Sequence, residues 1–160
     1  VYSLNDLIDI KLNNSFTTFV LIPQHLPKFH PIMDSLLKEI LETIPDSYII
    51  ITFDIKKTIW RRTLERRWLQ SGFNSNFIEN RILWLNQLTS QQYLGVLAIG
   101  DIMLDPYPFG GGVTILESLA VCTPVVTLAS KQTVPSLTSG IIRVMLNDED
   151  NINEKSITTN

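Results

Sequence analysis

The sequence holds one cysteine, Cys122, in 160 residues. That excludes an internal disulfide framework and a multi-cysteine zinc site, and it points to a reducing compartment, read here as cytoplasmic or nuclear. It has no excess of positive charge either: 13 Lys and Arg stand against 16 Asp and Glu, a net charge of −3. Without a basic field to grip a phosphate backbone, nucleic acid is not an expected partner. No uninterrupted apolar run reaches the length of a membrane span, and no charged stretch followed by an apolar one opens the chain, so no membrane association is expected. Val1 rather than Met stands first, and the expectation is a soluble piece of a longer protein. The glycine fingerprint of dinucleotide folds, Gly-x-Gly-x-x-Gly after a first strand, is missing, as is the Gly-Lys-Ser or Gly-Lys-Thr of a P-loop. No cluster of Asp and His at ligand spacing appears, so the site is expected to work without a metal or other cofactor.

What is present is apolar sequence in regular portions. Hydrophobic residues make up 44% of the chain, enough for one buried core and one domain. Residues 1–15 read as a lead-in to the run Phe16 to Ile22, whose near-continuous apolar character suits a strand covered on both faces. Ile32, Leu36, Leu37, Ile40, Leu41 and Ile44 then recur at helical spacing. Tyr48 to Phe53 reads as a second strand, Lys56 to Gln70 as a basic helix, and Arg81 to Leu85 as a third strand. Ser90 to Ile99 is helical, Asp101 to Asp105 a fourth strand, Gly110–Gly112 the opening of a helix that runs to about Val121, and Thr123 to Leu128 a fifth strand. Strands and helices alternating in this way predict an α/β fold, a Rossmann-like, doubly wound parallel sheet of about five strands. The polar, aromatic-free residues 147–160 read as a disordered tail.

The chemistry falls at the glycine run. In open α/β sheets ligands bind beyond the carboxyl ends of the strands. Gly110, Gly111 and Gly112 stand there, letting the backbone approach a bulky anion while the next helix offers unpaired N–H groups and the positive end of its dipole. Thr114 is placed to donate its hydroxyl to a phosphate, and Glu117, one turn on, to accept from both hydroxyls of a ribose. A second reading stands beside this one: Thr114-Ile-Leu-Glu117 also matches a capping box, whose two side chains would only satisfy backbone donors. Asp105 reads as a turn former, His25 and His30 as solvated or capping residues, and Cys122 as a small buried residue. Lys56, Lys57, Arg61, Arg62, Arg66 and Arg67 read as a solvated helix face, with Trp60 and Trp68 packed inward.

The segment Asp101-Ile-Met-Leu-Asp-Pro-Tyr-Pro-Phe-Gly-Gly-Gly-Val-Thr-Ile-Leu-Glu-Ser-Leu-Ala-Val-Cys-Thr-Pro-Val-Val-Thr-Leu128 resembles the donor-site segment of glycosyltransferase family 41, the O-GlcNAc transferase family. The likeness resumes at Ile22-Pro-Gln-His-Leu-Pro-Lys-Phe-His-Pro31, and the stretch from about Phe16 to Met145 is similar to the second, C-terminal lobe of that family's GT-B catalytic region. The resemblance implies a lobe that holds the UDP of a UDP-sugar. It places Gln24 and Lys28 on nucleotide and diphosphate, with Lys28 as the catalytic group. It puts Gly110, Gly111, Gly112, Val113 and Thr114 around the diphosphate and Glu117 on the ribose. Where animal members have a His and paired Thr residues, this chain has Gly112, Val113 and Thr114. Their uracil-proximal His falls near Tyr93, and Arg residues of bacterial and plant members fall near Val134 and Ser136.

The implied function is sugar transfer, with N-acetylglucosamine from a UDP-sugar passing to Ser or Thr of a protein acceptor. It requires a first, N-terminal catalytic lobe that has no counterpart in 160 residues, so the chain alone is expected to be inactive. Two alternatives accompany it: a non-catalytic α/β interaction module that kept the fold, and a GT-B enzyme using another nucleotide sugar. The domain reading is a lead-in over 1–15, a nucleotide-sugar-binding lobe over 16–146 and a tail over 147–160.

Overall fold

The apolar runs become a five-stranded, all-parallel sheet in the computed structural model, which describes residues 1–128 and 133–145. The strands are β1 (Thr18–Ile22), β2 (Ser47–Thr52), β3 (Ile82–Leu85), β4 (Ile102–Leu104) and β5 (Val125–Val126), in spatial order β3-β2-β1-β4-β5. Seven α-helices accompany them among the described residues: α1 (Leu4–Asn13), α2 (Asp34–Thr43), α3 (Thr58–Gln70), α4 (Ser75–Asn80), α5 (Ser90–Ile99), α6 (Val113–Ala120) and α7 (Thr133–Met145). Strand side chains alternate between two faces, and each face has its own core. Val20, Ile22, Ile49, Ile51 and Trp84 pack against Leu37 and Leu41 of α2 and Leu64 and Trp68 of α3. Phe19, Leu21, Ile50, Leu83 and Met103 pack against Leu7 of α1, Val96 and Leu97 of α5 and Ile115 of α6. This is the doubly wound arrangement that the alternating pattern predicts.

Several local readings are corrected. The lead-in folds: Ser3 caps α1 in a capping box with Asp6, Leu7 is fully buried, and Lys11 Nζ donates to the carbonyl of Ile99 at 2.6 Å and to Asp101 at 2.8 Å. Phe16 is not in β1 but 81% exposed, because the N–H of Thr17 closes a turn onto the carbonyl of Asn14 at 3.1 Å. The fifth strand is only two residues long. Cys122 is exposed rather than buried. It is the residue that ends α6 in the left-handed region, φ 62°, with the N–H of Thr123 returning to the carbonyl of Ser118 at 3.0 Å. Trp68 packs inward as expected, but Trp60 does not. Residues 147–160 lie outside the described residues.

One buried ion pair fixes the loop that matters for the site. Arg67 of α3 grips Asp34 of α2 through Nε and Nη2, each at 2.8 Å, and Nη2 also donates to the carbonyl of Phe29 at 2.7 Å. Trp68 Nε1 donates to the same carboxylate at 3.0 Å. A buried carboxylate is tolerable because all its bonds are charge-assisted or made by a buried donor. The result pins the chain that follows β1 against α3.

Candidate functional site

β1 lies mid-sheet, with β2 and then β3 on one side and β4 and then β5 on the other. The winding therefore reverses between β1 and β4, and in such sheets a crevice opens there between the two following loops. One loop carries Gln24 and Lys28, and the other runs from Asp105 to Gly112. Two hydrogen bonds tie the first loop to the second and to the helix that follows it: Lys28 Nζ donates to the carbonyl of Gly110 at 3.1 Å, and Gln24 Nε2 donates to Thr114 Oγ1 in the first turn of α6 at 2.6 Å. Lys28 also donates to Gln24 Oε1 at 2.8 Å and sits 4.9 Å from the centre of the Phe109 ring. Burial holds the Lys28 ammonium below the ordinary lysine value, and the Asp105 carboxylate pulls it partly back.

Asp105 is more than a turn former. Its carboxylate is buried, and it accepts from the N–H of Gly111 at 2.6 Å and from Thr127 Oγ1 at 2.9 Å. The glycine loop is folded around it: a Cβ on Gly110 would stand 2.8 Å from Asp105 Oδ2, and one on Gly111 2.6 Å from Thr114 Oγ1. Gly112 is different, since its Cβ would meet only Leu137 Cδ2, at 3.9 Å. Within the glycine run the amide of Gly111 is thus engaged by Asp105.

Helix α6 starts at Val113, with Gly112 as its N-cap and no side chain capping it. That removes the capping-box reading. A capping box joins the N-cap to the third helical residue, whereas Thr114 is the second helical residue and Glu117 the fifth. The hydroxyl of Thr114 is instead held by Gln24, and the uncapped first turn keeps its positive end toward the crevice.

Beside these groups a cavity of about 820 Å³ opens over the carboxyl ends of β1, β2 and β3. Gln24, Trp60, Tyr93, Thr114 and Glu117 are among its walls. Lys28 and the three glycines are not, and they meet the cavity only through Gln24 and Thr114. The Tyr93 phenol is buried without a hydrogen-bond partner, and burial, with the Glu117 charge added, raises its ionisation far above the usual tyrosine range. His25 is an exposed wall residue, and His30 caps the turn Pro31–Met33 by accepting from the N–H of Ile32 at 3.3 Å. The sequence reading missed Asp105 as an anchor and Trp60 as a wall. The side chains of Val134 and Ser136 lie outside the described residues. Among the described residues, no group of three His, Cys, Asp or Glu is placed to hold a metal ion, and no helix is long and apolar enough to cross a membrane.

No protein-family model and no curated protein matches this chain. Solved structures do. An O-GlcNAc transferase mutant from Thermobaculum terrenum superposes with TM-score 0.69 at 24% identity, over 81% of this chain and 24% of that one. A UDP-forming trehalose-phosphate synthase from Burkholderia xenovorans gives 0.55 at 12% identity, over 88% of this chain and 38% of that one. The E. coli trehalose-6-phosphate structure bound with UDP-2-fluoro glucose gives 0.54 at 12% identity, over 91% and 40%. The chain thus spans a quarter to two-fifths of these proteins, and its fold is that of one Rossmann-like lobe of a GT-B glycosyltransferase.

Proposed function

We propose that this chain is the donor-binding lobe of a GT-B glycosyltransferase similar to the O-GlcNAc transferases, which acts together with a first, N-terminal lobe. In this reading it holds a UDP-sugar whose N-acetylglucosamine passes to a Ser or Thr hydroxyl of a protein. The diphosphate rests at the uncapped start of α6, on the amides of Val113 and Thr114, with Lys28 alongside and Glu117 on the ribose. In the transfer the acceptor oxygen bonds to the anomeric carbon as the bond from that carbon to the diphosphate oxygen breaks. Both electrons leave with the diphosphate, and the hydroxyl proton passes to a base outside this lobe. The chain's part is to stabilise the charge on the leaving diphosphate, through Lys28 and the helix start rather than a metal.

The observation that carries this reading is the pair of hydrogen bonds spanning the switch point, Gln24 to Thr114 and Lys28 to Gly110, at the edge of a cavity that Glu117 lines. They bring together, across about eighty to ninety positions of sequence, the residues that the family resemblance assigns to one donor. Calorimetric titration of UDP into the chain tests it. Binding that Glu117→Ala abolishes while the variant stays folded is the expected result. A folded chain that takes up no UDP at millimolar concentration would leave the interaction-module reading in its place, and a panel of nucleotide sugars decides between UDP and another donor.

A further inference from the structure

Positions 60, 64 and 68 of α3 are spaced by four and share one face of the helix. Leu64 and Trp68 on that face are 4% and 0% exposed, as a core-facing stripe should be, yet Trp60 is 48% exposed. Its place in the fold explains the difference. Trp60 lies in the first turn of α3 and lines the cavity with Thr52 and Phe53 at the carboxyl end of β2, so it borders open space instead of the sheet. Its neighbour Arg61 ties the same turn of α3 to the core: it stacks 5.0 Å from the ring centre of Trp84 and 5.7 Å from that of Phe53, and donates to Glu65 at 2.7 Å. A large aromatic side chain left uncovered at the wall of a cavity is the arrangement expected where a flat ligand group is to be stacked.

The rest of the cavity says which group that is. Glu117 and Thr114 form its α6 side, and Trp60, Phe53, Thr52 and Gln87 stand at the ends of β2 and β3, across β1. A nucleotide with its diphosphate at the helix start and its ribose at Glu117 extends its base away from α6, toward β2. We infer that Trp60 is the stacking platform for the nucleobase of the donor, an inference that rests on the UDP-sugar reading above. Gln87 and Thr52 supply the amide and hydroxyl that such a base edge needs.

The same geometry provides the readout. Trp68 and Trp84 are buried, so Trp60 is the tryptophan a ligand in the cavity can touch. The 160-residue chain is titrated with UDP, with pyrophosphate and with N-acetylglucosamine while tryptophan fluorescence and calorimetric affinity are followed. The expected result is that UDP quenches the emission and that pyrophosphate binds without quenching. Trp60→Ala then weakens UDP about tenfold and leaves pyrophosphate unchanged, and Trp60→Phe, which keeps a ring, retains most of the affinity. UDP binding that is equal in Trp60→Ala and the parent chain overturns the inference while leaving the donor lobe in place. Quenching by N-acetylglucosamine but not by UDP overturns it in favour of a sugar platform. If the parent chain binds neither UDP nor pyrophosphate, the donor-lobe reading itself fails.

Discussion

The backbone N–H of Gly111 donates to Asp105 Oδ1 at 2.6 Å, in a loop whose Gly110 carbonyl accepts from Lys28 of the facing loop. A carboxylate placed by its own chain at the centre of a glycine run does two things. It fixes the path of the loop before any ligand arrives, and it sets a negative charge behind the cation that is to meet a diphosphate. Truncation to Asp105→Ala strands the Gly111 amide and the Thr127 hydroxyl and removes the counter-charge of Lys28. It should destabilise the chain by about 3 kcal/mol, read from the urea midpoint at unchanged slope. A loss of only a few tenths would show that the carboxylate does not organise the loop.

The three glycines should separate by mutation. Gly111→Ala drives a methyl to within 2.6 Å of Thr114 Oγ1 and 2.9 Å of Gln24 Nε2. It is expected to cost about 1–3 kcal/mol of stability and to part the two loops. Gly112→Ala meets nothing nearer than 3.9 Å, so its melting temperature should stay within a degree or two while UDP affinity reports whether a ligand needs that space. Thermal melts of the two variants, run together, check the contrast.

Lys28 gives the site a signature in pH. Its folded value is lowered from 10.5 chiefly by burial, so the ammonium is lost at a lower pH than in an ordinary lysine. If the cation holds the diphosphate, UDP affinity is complete near neutral pH and falls as pH rises through that depressed value. The decline begins before the ordinary lysine range. Lys28→Met should weaken binding at neutral pH by about tenfold and flatten the alkaline limb. An affinity equally steep with pH in both proteins would assign the titration to another group.

The fold was legible in the sequence because parallel strands buried on both faces are written as unbroken apolar runs, as in Tyr48-Ile-Ile-Ile-Thr-Phe53. Helix α1 escaped notice although Leu4, Leu7 and Ile10 share its core face and Ser3 with Asp6 forms its cap; the acid at the third helical position is Asp rather than the usual Glu or Gln. Helix α4 has six residues, too few to show a period. At the site, the residue types were legible and their use was not. Whether Thr114 caps its helix or meets a partner depends on where α6 starts, and Gln24, its partner, lies 90 positions away. Trp60 carries the spacing of a core residue, and its place at the cavity beside the end of β2 leaves it uncovered.

The most direct test of the donor site is an amide-resolved nuclear magnetic resonance titration of the chain with UDP. The N–H signals of Val113 and Thr114 and the side-chain amide of Gln24 should shift together with one saturation curve, because the first two are the open donors at the start of α6 and the third bonds the Thr114 hydroxyl. The Gly111 signal, already bonded to Asp105, should move least within the loop. Saturable shifts confined to other parts of the molecule, with the α6 start silent, would contradict the account.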